Sequence, residues 1–294
     1  MAKPIPLAVW DRRTREVHED WMDDGKSHYE SRPRRSPTQW LESQPIVDWL
    51  YASLQQTRWS ARKIRPFIQK HKIDMSEFEP VTYRSYNEFF IRKFRPGVRK
   101  FPDAANEMGA LAEARYFAWE SVEPNQRFPV KGHSLNAEQI LGHKGRAGAF
   151  RNGPVIFARL APVDYHRFHY PDQGKTVDSD RIGGRLWTIN WRALQNKPDI
   201  LFGNERHVQI LETRHFGRLG CAEIGAMTAG RVVQSHPLDK PFKRGDEKGY
   251  FAFGGSAIVV FGEPGAWRPC RDILKNTADG IETFLQLGEL VAET

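Results

Sequence analysis

From residue 108 onward the chain is a succession of short β-branched and aromatic runs cut by Gly, Asn and Asp, and this pattern constrains the fold more than any other feature. The runs are Arg115–Trp119, Val155–Leu160, His207–Leu211, Leu219–Ile224, Arg231–Ser235, Tyr250–Phe253 and Ala257–Phe261. Short runs bounded by turn formers are strand signals, and their succession predicts an antiparallel β domain. The first hundred residues read differently. Ile46, Val47, Leu50 and Leu54 recur at helical spacing over Pro45–Leu54, and Ile64, Phe67 and Ile68 share one face over Ser60–His71. Pro66 is expected to kink or restart that second helix. Over Tyr86–Phe94, Ser85 and Glu88 form an S-x-x-E capping box, and Pro96-Gly97 is the stop. The expected fold class is α+β: an N-terminal helical region, 1–99, packed on a β-rich antiparallel domain, 100–294.

Composition narrows the partners. The chain has 44 Lys and Arg against 36 Asp and Glu, a net charge of +8. That balance favours an anionic partner: nucleic acid, acidic lipid or a phosphorylated substrate. The basic excess gathers in SRPRRSP (31–37) and RWSARKIRPFIQKHK (58–72). The amphipathic stripes there are explained by core packing or by a basic surface resting on acidic lipid. The longest apolar run, Ala257–Phe261, has five residues, far short of the roughly 18 of a spanning helix. The opening MAKPIPLAVWDRR has no apolar h-region, so no secretory signal is expected. Two cysteines, Cys221 and Cys270, exclude a disulfide framework and a four-cysteine zinc site, and fit a reducing cytoplasm. There is no Walker loop, Rossmann fingerprint or H-E-x-x-H motif.

Three segments carry chemistry. APVDYHRFHYP (161–171) sets His166 and His169 three apart. On one helical turn they would suit a metal, but no third and fourth ligand is evident. They also suit structural imidazoles, or general acid–base work near neutral pH. RGDEKGYFAFGGSAIVVFGEPG (244–265) places Gly254-Gly255-Ser256 between two apolar strands. Glycines there serve a bulge or tight turn. The string is not the G-x-S-x-G nucleophile elbow. With no side chain on Gly255, the 255–256 carbonyl is open to attack by the Ser256 hydroxyl. LGCAEIGAMTAGRVVQSH (219–236) reads as a glycine-punctuated pair of strands.

GDEKGYFAFGGS (245–256), RLAPVDYHRFHYP (159–171), IGAMTAG (224–230), NEFFIRKFRPGVR (87–99) and KGHSL (131–135) together resemble the pyruvoyl-dependent phosphatidylserine decarboxylases. WDRRTREV (10–17) and FIQKHKIDM (67–75) are similar to the branch with a longer N-terminal helical region. The resemblance implies a cut between Gly255 and Ser256, giving a β chain of 1–255 and an α chain of 256–294. The serine remnant becomes a covalent pyruvoyl cofactor, without pyridoxal phosphate or metal. It forms a Schiff base with the substrate amine and takes up the electrons left by carbon dioxide. His169 matches the histidine that acts with the serine in self-cleavage, and His166 the one implicated in decarboxylation. Glu113, within GALAEA (109–114), stands where the family has an aspartate, and Ala114 where a glycine follows it. Ala257 stands where the family generally has threonine or serine. Glu113 is expected to be the carboxylate partner of His169.

The resemblance implies phosphatidylserine as substrate, an acidic membrane surface as partner, and a peripheral cytoplasmic place on the inner membrane face. A homodimer is left open, and nucleic acid is not expected, because the basic runs lack a known module. Two other readings stand beside it: a pyruvoyl decarboxylase of a free aromatic amino acid, and an uncleaved lipid-binding homologue.

Overall fold

The computed structural model describes residues 8–19, 53–121, 136–187, 189, 199–226, 231–254 and 256–294. The Pro45–Leu54 stripe up to residue 52, the KGHSL segment with Lys131, residues 227–230 and Gly255 lie outside these.

In chain order the strands are β1 (Ala8–Asp11), β2 (Glu16–Glu19), β3 (Glu107–Gly109), β4 (Ala114–Trp119), β5 (Val155–Leu160), β6 (Arg167–His169), β7 (Gly174–Ile182), β8 (Arg206–Thr213), β9 (Arg218–Gly225), β10 (Val232–Gln234), β11 (Glu247–Phe251), β12 (Ser256–Gly262), β13 (Arg268–Pro269), β14 (Glu282–Leu285) and β15 (Leu290–Glu293). Nine of them form one sheet in the order β2-β1-β14-β4-β5-β12-β9-β8-β7. Two three-stranded sheets, β10-β11-β6 and β13-β15-β3, accompany it. Each of the seven expected runs is a strand within a few residues. The fold is α+β, as the sequence implied. The large sheet is mixed rather than wholly antiparallel, because β1 pairs parallel with β14, Val9 opposite Glu282. The first described residues are thus sheet, not helix.

β12 shows why its sequence is uniformly apolar. Side chains alternate across a strand. Ile258 and Val260 enter one core with Tyr116, Leu160, Phe168 and Phe251, while Ala257, Val259 and Phe261 enter another with Phe117, Phe157 and Ile224. A strand buried on both faces needs no polar side. By the same alternation, Ser256 belongs to the face of Ile258 and Val260, the one packed against Phe168 of β6 and Phe251 of β11.

The helical segments before residue 100 follow the sequence closely. A 3-10 helix over Arg58–Lys63 passes into an α-helix over Ile64–His71, with Pro66 in the first turn, where a missing N–H costs nothing. Ser85 caps the next helix by accepting from the Glu88 N–H, and the Glu88 carboxylate accepts from the Arg84 N–H. That helix is Tyr86–Phe90, shorter than the Tyr86–Phe94 read from the sequence. It stops early because residues 93–95 pair with residues 77–79 instead: Glu79 N–H donates to Lys93 O, and Arg95 N–H to Glu77 O.

Candidate active site

Ser256 is the first residue of β12, directly opposite Leu160 on β5 and Gly225 on β9. It is fully buried, not part of an exposed turn, and its Oγ has no hydrogen-bond partner among the described residues. A buried hydroxyl without a partner costs free energy, so its persistence points to a use other than stability. The approach to it is tightly held. Phe251 N–H donates to His166 O at 2.9 Å, Ala252 N–H to Arg231 O at 3.0 Å and Phe253 N–H to Asn87 Oδ1 at 2.9 Å. Gly254 follows at φ +152°, a conformation that only glycine adopts freely. Gly249, within the GDEKGYF string, is needed for another reason: a Cβ there would lie 2.3 Å from Val233 O.

The two histidines do not share a helical turn. His169 ends strand β6, and His166 lies in the turn before it. His166 is fully buried, and its ring lies 3.7 Å from that of Phe90, which in turn meets Phe253 edge-on at 5.1 Å. Nδ1 donates to Asp164 O at 3.0 Å, which leaves Nε2 as a bare acceptor without a partner among the described residues. Burial, followed by the charges of Arg92 and Arg115, lowers its pKa to about 3. The imidazole is therefore neutral at physiological pH. The turn itself is fixed by Asp164, whose carboxylate accepts from Ala161 N–H and pairs with Arg115. Arg92 adds a bond from Nη2 to Val163 O at 2.7 Å.

His169 faces other partners. Its Nδ1 donates to Gly245 O at 2.9 Å, and Nε2 accepts from the Tyr165 hydroxyl at 3.3 Å. Burial depresses its pKa as well. The expected bond from His169 to Glu113 is not made. Glu113 is buried, but Arg99 Nε reaches its Oε2 at 2.8 Å and Nη2 its Oε1 at 3.1 Å, and the same guanidinium holds Glu77 at 2.9 and 3.0 Å. An arginine fork matches a carboxylate edge, so it outcompetes a single imidazole N–H. The loop nonetheless touches the histidine strand, since His169 N–H donates to Leu111 O at 2.8 Å.

A family model described as phosphatidylserine decarboxylase matches residues 86–292. The chain is also 34% identical to the phosphatidylserine decarboxylase proenzyme of Chlamydia pneumoniae, over 89% of this chain and 87% of that protein. The chain belongs to the phosphatidylserine decarboxylase family. Its members are carboxy-lyases. Identity is likewise 34% to the proenzyme of Fusobacterium nucleatum, over 83% of this chain and 82% of that protein. The same identity holds to phosphatidylserine decarboxylase proenzyme 3 of Schizosaccharomyces pombe, over 80% of this chain but 25% of that much longer one.

In this member of the family, Ser256 and His166 are both fully buried, the stretch that leads to Ser256 bonds the His166 carbonyl through Phe251 N–H, and Glu113 and His169 have separate side-chain partners. Arg167 and Lys248, whose charge suits an anionic substrate, are both engaged: Arg167 with Glu247, and Lys248 with Glu223 at 2.7 Å in a fully buried pair. Arg99, Asn87 and Tyr165 were not legible as site residues. Tyr165 sits inside the D-Y-H-R string and Asn87 opens N-E-F-F, so their position was visible. Their contacts join segments far apart in sequence, which no local spacing reveals.

Proposed function

We propose that the chain is a self-cleaving, pyruvoyl-dependent enzyme that converts phosphatidylserine to phosphatidylethanolamine. The observation that carries this reading is the unpartnered, fully buried Ser256 Oγ at the head of a central strand, downstream of three hydrogen-bonded residues, Phe251 to Phe253. The Ser256 side chain makes no hydrogen bond that its conversion to a pyruvoyl group would break, so the residues present fit the group.

The chemistry balances on the chain's own atoms and one water. Ser256 Oγ bonds to the carbonyl carbon of the preceding peptide as its proton passes to an imidazole. The C–N bond breaks, and the amide becomes an ester. Loss of the Ser256 Cα proton then expels the upstream chain as a carboxylate ending at Gly255. Water replaces the nitrogen, which leaves as ammonia. In this reading His169 takes the serine proton once its Nε2 is released from Tyr165. His166, held by Asp164 O with Nε2 bare, moves the proton of the decarboxylation step. The pyruvoyl carbonyl supplies an electrophile for the substrate amine and a sink for the electron pair left by carbon dioxide. Strand β12, wholly downstream of the cut, lies between β5 and β9 of the upstream piece, so the two pieces remain one sheet.

The enzyme is also placed, in this reading, peripherally on the inner membrane face. No helix among the described residues is long and apolar enough to cross a membrane. Trp59 and Leu54 are 68% and 57% exposed, beside Arg58, Arg62 and Arg65, with the Arg62 guanidinium 4.2 Å over the Trp59 ring. Aromatic and basic side chains together suit an anionic headgroup layer, at about 1 kcal/mol per well-placed cation.

The test is the intact mass of purified protein, followed by product analysis on phosphatidylserine vesicles. Two chains split at 255/256, a pyruvoyl mass at position 256 and phosphatidylethanolamine are expected. A single full-length mass with no product would overturn the reading. Turnover of free tryptophan or tyrosine without lipid would redirect it to an amino acid substrate.

A further inference from the structure

We propose that Asn87 is a positioning residue for self-cleavage, acting as the side-chain acceptor that fixes the peptide leading into the scissile bond. The inference rests on the self-cleavage reading above and concerns how this chain sets up that reaction.

The four residues between β11 and β12 are Ala252 to Gly255, and the bonds that hold their approach are of two kinds. Phe251 and Ala252 donate to the main-chain carbonyls of His166 and Arg231. Those bonds survive any side-chain change. Phe253 donates instead to a side chain, Asn87 Oδ1, at 2.9 Å and 166 positions away in sequence. It is the last of these three bonds before the glycines. Beyond it lies Gly254 in its glycine-only conformation, where the backbone has the most freedom to lose its aim.

Asn87 is itself well anchored. It occupies the first turn of the helix Tyr86–Phe90, whose start is fixed by the Ser85 cap and by Tyr86 N–H donating to Ser60 Oγ at 2.9 Å. The same helix grips the Phe253 ring, with Tyr86 edge-on at 5.2 Å and Phe90 edge-on at 5.1 Å. Phe90 also lies against His166. One short helix from the N-terminal region therefore aligns the scissile approach and the buried imidazole against each other. Attack of Ser256 Oγ on its own preceding carbonyl demands such alignment, because a misplacement on the order of 1 Å costs around 100-fold in rate.

The test compares cleavage rates of Asn87→Leu, Asn87→Ala and Asn87→Asp with wild type. Cleavage is followed on denaturing gels from freshly translated full chain, with melting temperatures of Ser256→Ala versions as a fold control. Leucine keeps the volume and removes the acceptor, and alanine does so without bulk. Both are expected to cleave roughly 10- to 100-fold more slowly. Aspartate keeps an acceptor at the same atom and suits a helix first turn, so it is expected to restore most of the rate. If both acceptor-less variants cleave at the wild-type rate, or if aspartate is as slow as leucine, the inference is overturned while the function stands. If wild type itself does not cleave, the function reading fails and this inference with it.

Discussion

Arg99 and Glu113 meet edge to edge as a two-bond ion pair inside the protein, with side chains only 8% and 11% exposed. Burial opposes the Arg99 charge, but its bonds to Glu77 and Glu113 outweigh it and hold its pKa above the ordinary value. Burial pushes the Glu113 carboxyl up, against the pull of Arg99. The guanidinium also lies 4.3 Å over Phe94, whose ring packs 4.2 Å from that of Tyr165, the partner of His169. Glu113 thus reaches the histidine strand through a packed chain of side chains rather than through a direct bond to His169.

Removing Arg99 alone is expected to be costly. Arg99→Met strands the Glu113 carboxylate in a dry site, and breaking a buried pair from one side costs about 3–5 kcal/mol. Arg99→Met with Glu113→Gln is expected to recover much of that loss, because no buried charge remains. Urea unfolding of both variants measures it. A single variant within about 1 kcal/mol of wild type would show that the pair is solvated in solution.

Ser256→Ala is expected to give a full-length, inactive protein of nearly unchanged stability. Its hydroxyl is buried and has no partner to lose, so a methyl group in its place costs about 1 kcal/mol at most and can be stabilising. Mass spectrometry reads the cut and a thermal melt reads the stability. Normal cleavage in this variant would remove Ser256 from the chemistry.

Strands were legible because their information is local. Ala257–Phe261 announces a doubly buried strand by its unbroken apolar run, and Ser85 with Glu88 announces a helix start by the reach of their side chains. The stop of that helix was not legible. Pro96-Gly97 is a local signal, but residues 93–95 leave the helix earlier to pair with residues 77–79, a tertiary competition. Ser256 and the histidines were legible from the resemblance. Their partners were not: Glu113 was expected to bond His169, but the arginine fork that claims it lies 14 residues upstream, at the end of the NEFFIRKFRPGVR string, where nothing local marks its partner. β1 was hidden for the same reason, since a four-residue parallel strand is defined by its partner β14 rather than by its own pattern.

The histidines are expected to separate in their effects. His169→Ala should abolish or strongly slow the cut, while His166→Ala should still permit it and lower decarboxylation by about 100-fold or more, the usual weight of a general acid–base group. Gels and product release on one preparation distinguish the two. Reversed behaviour would exchange their roles and leave the family unchanged.

Tyr165→Phe is expected to shift the pH dependence of cleavage. The phenol donates to His169 Nε2 and so favours the neutral ring. Burial also lowers that pKa and Arg167 adds to it, while the Gly245 carbonyl, Glu247 and Asp246 work the other way. Without the phenol the pKa rises, and a base that must be neutral needs a higher pH to act. The acid limb of the cleavage profile should move to higher pH. An unmoved limb would mean that His169 does not carry the proton.

His166 sets an acid limit on stability. Its pKa falls from the ordinary 6.5 to about 3 in the folded protein, through burial first and then the Arg92 and Arg115 charges. Between those values the unfolded chain binds a proton on this ring that the folded protein refuses. The stability contributed by keeping the ring neutral is therefore fully present above about pH 6.5 and is lost as pH falls toward 3. One such proton gives a slope of about 1.4 kcal/mol per pH unit. His166→Phe keeps an aromatic ring against Phe90 but takes up no proton. Measured in a Ser256→Ala background, so that both chains stay whole, the variant should lose about 2–3 kcal/mol less than its parent between pH 6.5 and 4.5. His169 and His207, whose pKa values burial also lowers, titrate in both proteins and cancel in the comparison. Parallel pH profiles for the two would place the acid-sensitive group elsewhere, and would mean that the His166 site admits water in solution.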